Sequence, residues 1–175
     1  RDAYHLAQLG YHVIAYERHP AIAALLDDAY RRAREDEEIG SVVTERLEFR
    51  FGDAREAFRQ VTAESVYLDP MFPPARRPKA LPKKELQLLR AVVPFTSSLG
   101  DPSTSGEGES TIGSELEDWI ARARATAGDR VVLKRPHHVA PHPGARHRYR
   151  TKLVCYDVFG ATSNANDESA PSREA

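Results

Sequence analysis

Apolar and polar positions alternate along this chain in two rhythms, one of about two residues and one of about 3.6, and the switches between them mark the elements. Residues 2–9 carry Ala3, Leu6, Ala7 and Leu9 at helical spacing before Gly10, so they read as the end of a helix. Residues 11–16 form a short apolar, partly β-branched run closed by Glu17, the pattern of a buried strand. Pro20 stands where a first helical turn tolerates it, and Ile22, Leu25, Leu26, Ala29 and Ala33 continue the helical period, which predicts a helix over 20–34. After an acidic turn at 35–40, residues 47–51 alternate as a strand that ends at Gly52 and Asp53, and a short helical segment follows over 54–59.

Residues 65–68 predict a third strand ended by Asp69 and Pro70, and 81–93 a further helix. The stretch 96–113 is rich in Ser, Gly, Pro and acids, has too little apolar surface to pack, and reads as a mobile loop. A helix over 115–127, a fourth strand over 130–133 stopped by Pro136, a last strand over 152–159 and a disordered tail over 160–175 complete the order. Strands alternating with helices at this spacing predict an α/β domain over 1–159, with a mostly parallel sheet covered on both faces in three layers. Ligands of such sheets sit beyond the carboxyl ends of the strands, where this chain carries Glu17, Asp53, Asp69 and Lys134.

Composition narrows the class. A 175-residue chain that is 41% hydrophobic and 29% charged can bury a core of its own, and no apolar run reaches the roughly 18 to 20 residues of a membrane span. The single cysteine, Cys155, excludes an internal disulfide and a multi-thiolate metal site, and fits a reducing cytoplasm. His137, His138, His142 and His147 stand among prolines and arginines without ligand acids, so no metal is expected. The net charge of -1 hides an uneven distribution. Arg76, Arg77, Lys79, Lys83, Lys84 and Arg90 face one acid, Glu85, within 75–90, and 130–152 holds seven basic residues and no acid. Together the two segments predict a phosphate-binding patch on a nearly neutral protein.

The strand-end acids suggest a chemistry. A carboxylate closing the second strand of a dinucleotide-type unit can accept both ribose hydroxyls, which makes Glu17 a candidate nucleoside clamp, and Asp53 could take an adenine amine. In the segment 67–74 (YLDPMFPP) the prolines stiffen the turn and present Asp69 and the ring of Phe72. A carboxylate that accepts the protons of an aromatic amine orients the nitrogen lone pair toward a methyl donor, while a ring stacks on the base. Methylation at a pyrimidine carbon would call for a cysteine beside the turn, and Cys155 is remote in sequence.

Glu17-Arg18-His19-Pro20 with Ala23-Ala24-Leu25-Leu26-Asp27-Asp28, then YLDPMFP at 67–73, Lys83-Lys84-Glu85, VVLKRP at 131–136 and Tyr156-Asp157-Val158-Phe159 resemble, in order and spacing, the ribosomal small subunit methyltransferase J family. The resemblance covers 1–159 and implies a Rossmann-like class I fold and S-adenosylmethionine-dependent methylation of a guanine N2 in 16S rRNA. It further implies a cytoplasmic monomer acting on 16S rRNA or the small ribosomal subunit. By resemblance, Asp2, Glu17, Arg18, Asp53 and Asp69 would serve the cofactor, Asp69 and Phe72 the target base. Arg76, Arg77, Lys83, Lys84, Lys134 and Arg135 would serve the RNA. The family's first strand and glycine-rich loop have no counterpart here and are expected to precede Arg1. Two other readings stay open: an inactive RNA- or nucleotide-binding remnant without the cofactor loop, and a DNA amino-methyltransferase.

Overall fold

The computed structural model describes residues 1–70, 72 and 108–162, and two compact units divide them at Ala57 and Phe58. The expected helix over 81–93, most of the expected loop, nearly all of the tail, and Arg76, Arg77, Lys83 and Lys84 lie outside the described residues.

The first unit contains α1 (Asp2–Gln8), β1 (Val13–Glu17), α2 (Pro20–Arg34), α3 (Gly40–Arg46), β2 (Leu47–Phe51) and α4 (Ala54–Ala57). Helix α1 ends because Gly10 takes φ +101°, letting the Gly10 N–H reach the Ala7 carbonyl at 3.0 Å and the Tyr11 N–H reach Leu6 at 3.2 Å. This double bond is a Schellman cap, whose left-handed residue favours glycine. Helix α2 starts at Pro20 and carries Asp27–Arg31 and Asp28–Arg32 pairs four residues apart on its exposed side. Its Tyr30 hydroxyl donates to the Leu47 carbonyl at 2.7 Å, tying the helix to the start of β2. Strands β1 and β2 run parallel, with Val13 opposite Leu47 and Glu17 opposite Phe51. Ala7, Ala23 and Val43 are the buried apolar side chains between these layers.

The second unit contains β3 (Ala63–Leu68), α5 (Gly108–Thr126), β4 (Ala127–Pro136), β5 (His147–Arg150) and β6 (Val154–Gly160). Its strands form one sheet in the order β3-β4-β6-β5. β3 and β4 are parallel, whereas β4–β6 and β6–β5 are antiparallel. Helix α5 covers one face, where Leu68, Ile120, Ala123, Ala127, Val131, Leu133 and Phe159 make the core.

Three expectations change. The strands form a two-stranded and a four-stranded sheet rather than one mostly parallel sheet. The link from β4 to β6 holds no helix to carry a parallel crossover, so β6 returns antiparallel. Helix α5 begins at Gly108, inside the stretch expected to be loop. Strand β4 starts at Ala127, three residues before the expected 130, and runs on to Pro136.

Candidate functional site

The rim of the first unit is built where β1 and β2 end together. Gly52 at φ +150° turns the chain back, and its N–H donates to the Glu17 carbonyl at 3.0 Å. Glu17 Oε1 accepts the His19 N–H at 2.8 Å, which braces the turn into α2. Arg18 Nη1 lies 3.6 Å from Asp53 Oδ2. Thus Glu17 and Asp53, nominated from two strand ends, and Arg18, nominated by resemblance, lie on one rim, while Asp2 sits in the first turn of α1.

Asp53 is more heavily engaged than the sequence suggested. It caps α4 by accepting the Arg55 N–H at 2.9 Å, and both its oxygens accept Arg55 Nε at 3.0 Å. The Arg55 guanidinium, foremost by these hydrogen bonds, holds the Asp53 carboxyl below the usual carboxylate range, and the charge of Arg18 adds to it. An adenine amine could reach Asp53 only by displacing an Arg55 bond, so its first role is to order the loop after β2.

A nucleoside-bearing cofactor fits this rim on two observations. Glu17 is a half-buried carboxylate at the carboxyl end of a parallel strand, the position that serves ribose hydroxyls in such folds. Beside it, His19 Nδ1 is buried with no hydrogen-bond partner, an uncompensated polar atom that a ligand hydroxyl would satisfy. An open, mainly apolar cleft lined by Pro20, Ala23, Ala24, Asp27, Phe49 and Phe51 adjoins the same turn.

In the second unit Asp69 follows the end of β3, half-exposed, and accepts a hydrogen bond from Lys134 Nζ at 2.9 Å. Pro70 restricts Asp69 to extended backbone, which keeps the carboxylate at the sheet end. Phe72 is half-buried and packs on the core cluster, so contact with the core fixes its ring.

Arg135 stands as a correction. Expected at the RNA surface with Lys134, it is only 6% exposed and grips the fully buried Asp157 through Nε at 2.8 Å and Nη2 at 3.1 Å. The carboxylate of Asp157, mainly by hydrogen bonding, raises the Arg135 pKa further above its ordinary value. Strand alternation carried the signal: Val131, Leu133 and Arg135 share the inward face, and Lys134 the other. Asp157, which sequence reasoning passed over, also accepts the His142 N–H at 2.8 Å, while Arg135 Nη1 donates to the Val139 carbonyl at 2.7 Å. The pair thereby fastens the link after β4. His142, considered among possible metal ligands, instead bonds Glu117 through Nε2 at 2.7 Å.

The family model described as putative SAM-dependent methyltransferase matches residues 1–98. The ribosomal RNA small subunit methyltransferase J of Tolumonas auensis is 41% identical over 167 residues, covering 91% of this chain and 58% of that protein. The protein of the same description from Yersinia enterocolitica is 39% identical with the same coverage. The chain therefore spans 58% of the length of these curated relatives. A crystal structure of a SAM-dependent methyltransferase from Neisseria gonorrhoeae superposes with a TM-score of 0.63 at 29% identity, over 95% of this chain and 63% of that one. Its α/β fold is the fold of this chain, and with the model match across the Glu17 rim and the Asp69 turn, the chain belongs to the putative S-adenosylmethionine-dependent methyltransferase family.

Proposed function

We propose that this chain supplies the ribose-binding rim and the target-base site of an enzyme that methylates the exocyclic N2 of a guanine in small-subunit rRNA. The observation that carries the reading is Asp69, held at the end of β3 by Lys134 at 2.9 Å and followed by Pro70 and Phe72. The relatives' printed names, rRNA methyltransferases at about 40% identity, support the substrate class.

When bound, S-adenosylmethionine supplies an electrophilic methyl group. Glu17 would hold its ribose hydroxyls, with Arg18 and Asp53 ordering the rim around it. Asp69 would accept hydrogen bonds from the guanine amine and leave the nitrogen lone pair directed away from the carboxylate, free for methylation. Lys134 fixes the carboxylate in place. The amine loses a proton only after it has gained the methyl and become cationic, so no strong base is needed. Phe72, packed in part on the core, would stack on the base.

Radiolabelled methyl transfer to small-subunit rRNA, with S-adenosylmethionine binding followed by calorimetry, tests the reading. Asp69→Ala should reduce transfer by at least about 100-fold while cofactor affinity stays unchanged. Equal turnover by the variant removes Asp69 from the mechanism. Absence of cofactor binding by this chain and by one extended at its amino end to the length of its relatives favours a nucleotide-binding remnant, and transfer to duplex DNA in place of rRNA favours a DNA amine methylator.

A further inference from the structure

The face of the four-stranded sheet opposite α5 carries an ordered row of side chains. β6 buries Cys155 and Asp157 on the α5 side, so Tyr156 between them projects to the other face. The register sets Tyr156 opposite Lys134 of β4 on one side and opposite Tyr149 of β5 on the other. Residues directly opposed in a sheet project from the same face with neighbouring Cβ atoms. Lys134 in turn donates to Asp69 just past β3. Asp69, Lys134, Tyr156 and Tyr149 therefore cross the whole sheet in line, from the strand-end carboxylate to the outer edge, over roughly 14 Å at the usual strand spacing.

The outer end of this row is open. Tyr149 is 61% exposed, and every residue of the edge strand β5 is exposed. His147 shares the face of Tyr149 on β5, whereas Arg148 and Arg150, opposite Asp157 and Cys155, belong to the α5 face; Lys152 follows, and no acid occurs anywhere in 130–152. Positive charge on an edge strand blocks unwanted strand pairing, which accounts for the arginines. It does not account for an exposed aromatic ring among them, in register with the carboxylate that meets the target. Two neighbouring rings on one sheet face suit an unpaired nucleotide, whose base stacks on them.

We propose that Tyr149 and Tyr156 form a stacking platform for an unpaired nucleotide flanking the target guanine. This rests on the reading of Asp69 as the acceptor of the target amine. The row then recognises a single-stranded context, because a paired neighbour would not present its face to the rings.

The test uses the intact chain and a single-stranded RNA oligonucleotide of the target sequence with 2-aminopurine beside the guanine, titrated by fluorescence. Binding to wild type should quench the probe; Tyr149→Ile should bind about tenfold more weakly without that quenching, and Tyr149→Phe should stay within about twofold of wild type. Unchanged unfolding midpoints and cofactor affinities in both variants would place the effect at the RNA. Equal affinity and quenching for Tyr149→Ile and wild type overturn the platform, as does a loss in Tyr149→Phe as large as in Tyr149→Ile. Methyl transfer measured in parallel separates the two ideas. Transfer with RNA binding indifferent to Tyr149→Ile overturns the platform alone; Tyr149-dependent binding without transfer by wild type supports the platform and counts against the methylation reading.

Discussion

At the rim of the first unit, individual side chains hold two duties that mutation can separate. Glu17 both accepts the His19 N–H and is the proposed ribose acceptor. Glu17→Ala should weaken S-adenosylmethionine by about 1 to 3 kcal/mol in calorimetry, beside a smaller stability loss of about 1 kcal/mol for the broken turn bond. Unchanged affinity would end the ribose assignment. Asp53 makes a different prediction, because the Arg55 hydrogen bonds, aided by Arg18, lower its pKa in the folded chain. A carboxyl with a lowered folded pKa stabilises the fold fully above its unfolded value of about 3.9, and the contribution fades as pH falls through the folded value. Acid denaturation of wild type should thus steepen below about pH 4, and Asp53→Asn should lower stability near neutrality and flatten that limb, so that the two proteins converge at low pH. The strand-end acids were legible in the sequence because a residue that closes a strand needs no tertiary information to be located. Their engagement was not legible, since Arg55 owes its hold on Asp53 to the turn geometry at Gly52 and the cap of α4.

Among the elements, β1, α2, β2 and β6 were readable because each presents an apolar face long enough to set a period. Strand β5 was not, for its four residues, His147 to Arg150, are all exposed and it relies on pairing with β6. Helix α3 escaped notice as well, since its seven residues bring only Val42 and Val43 to the pattern. The link between β4 and β5 depends on the Arg135–Asp157 pair, which is buried and reaches both Val139 and His142. Removing one partner of such a pair leaves an uncompensated buried charge. Asp157→Ala should destabilise the second unit by about 3 to 5 kcal/mol in chemical denaturation, whereas the double change Arg135→Met with Asp157→Leu should recover much of that loss. A single-variant cost below about 1 kcal/mol would show that water compensates the guanidinium.

For the molecule as a whole, the net charge of -1 gives no general attraction to nucleic acid, so any RNA affinity has to come from where the cations are placed. The acid-free stretch 130–152 includes most of β4, the link and β5, with Lys134 facing the strand-end carboxylate and Arg148 and Arg150 on the exposed edge. Arg135 lies within the same stretch but spends its charge on Asp157, so counting basic residues overstates the surface available to phosphates. Placement predicts a modest salt dependence. If Arg148, Arg150 and Lys152 each neutralise one phosphate of a single strand, log affinity should fall with log salt at a slope of about -2, since each contact contributes about 0.7. Arg150→Ala should lower the magnitude of that slope by about 0.7 and weaken all RNA sequences alike, whereas loss of the Tyr149 ring should weaken binding and leave the slope unchanged. A wild-type slope near zero would mean that the basic edge strand does not face the RNA backbone. A slope that falls with Tyr149→Ile would mean that the ring acts by holding the neighbouring cations in place rather than by stacking.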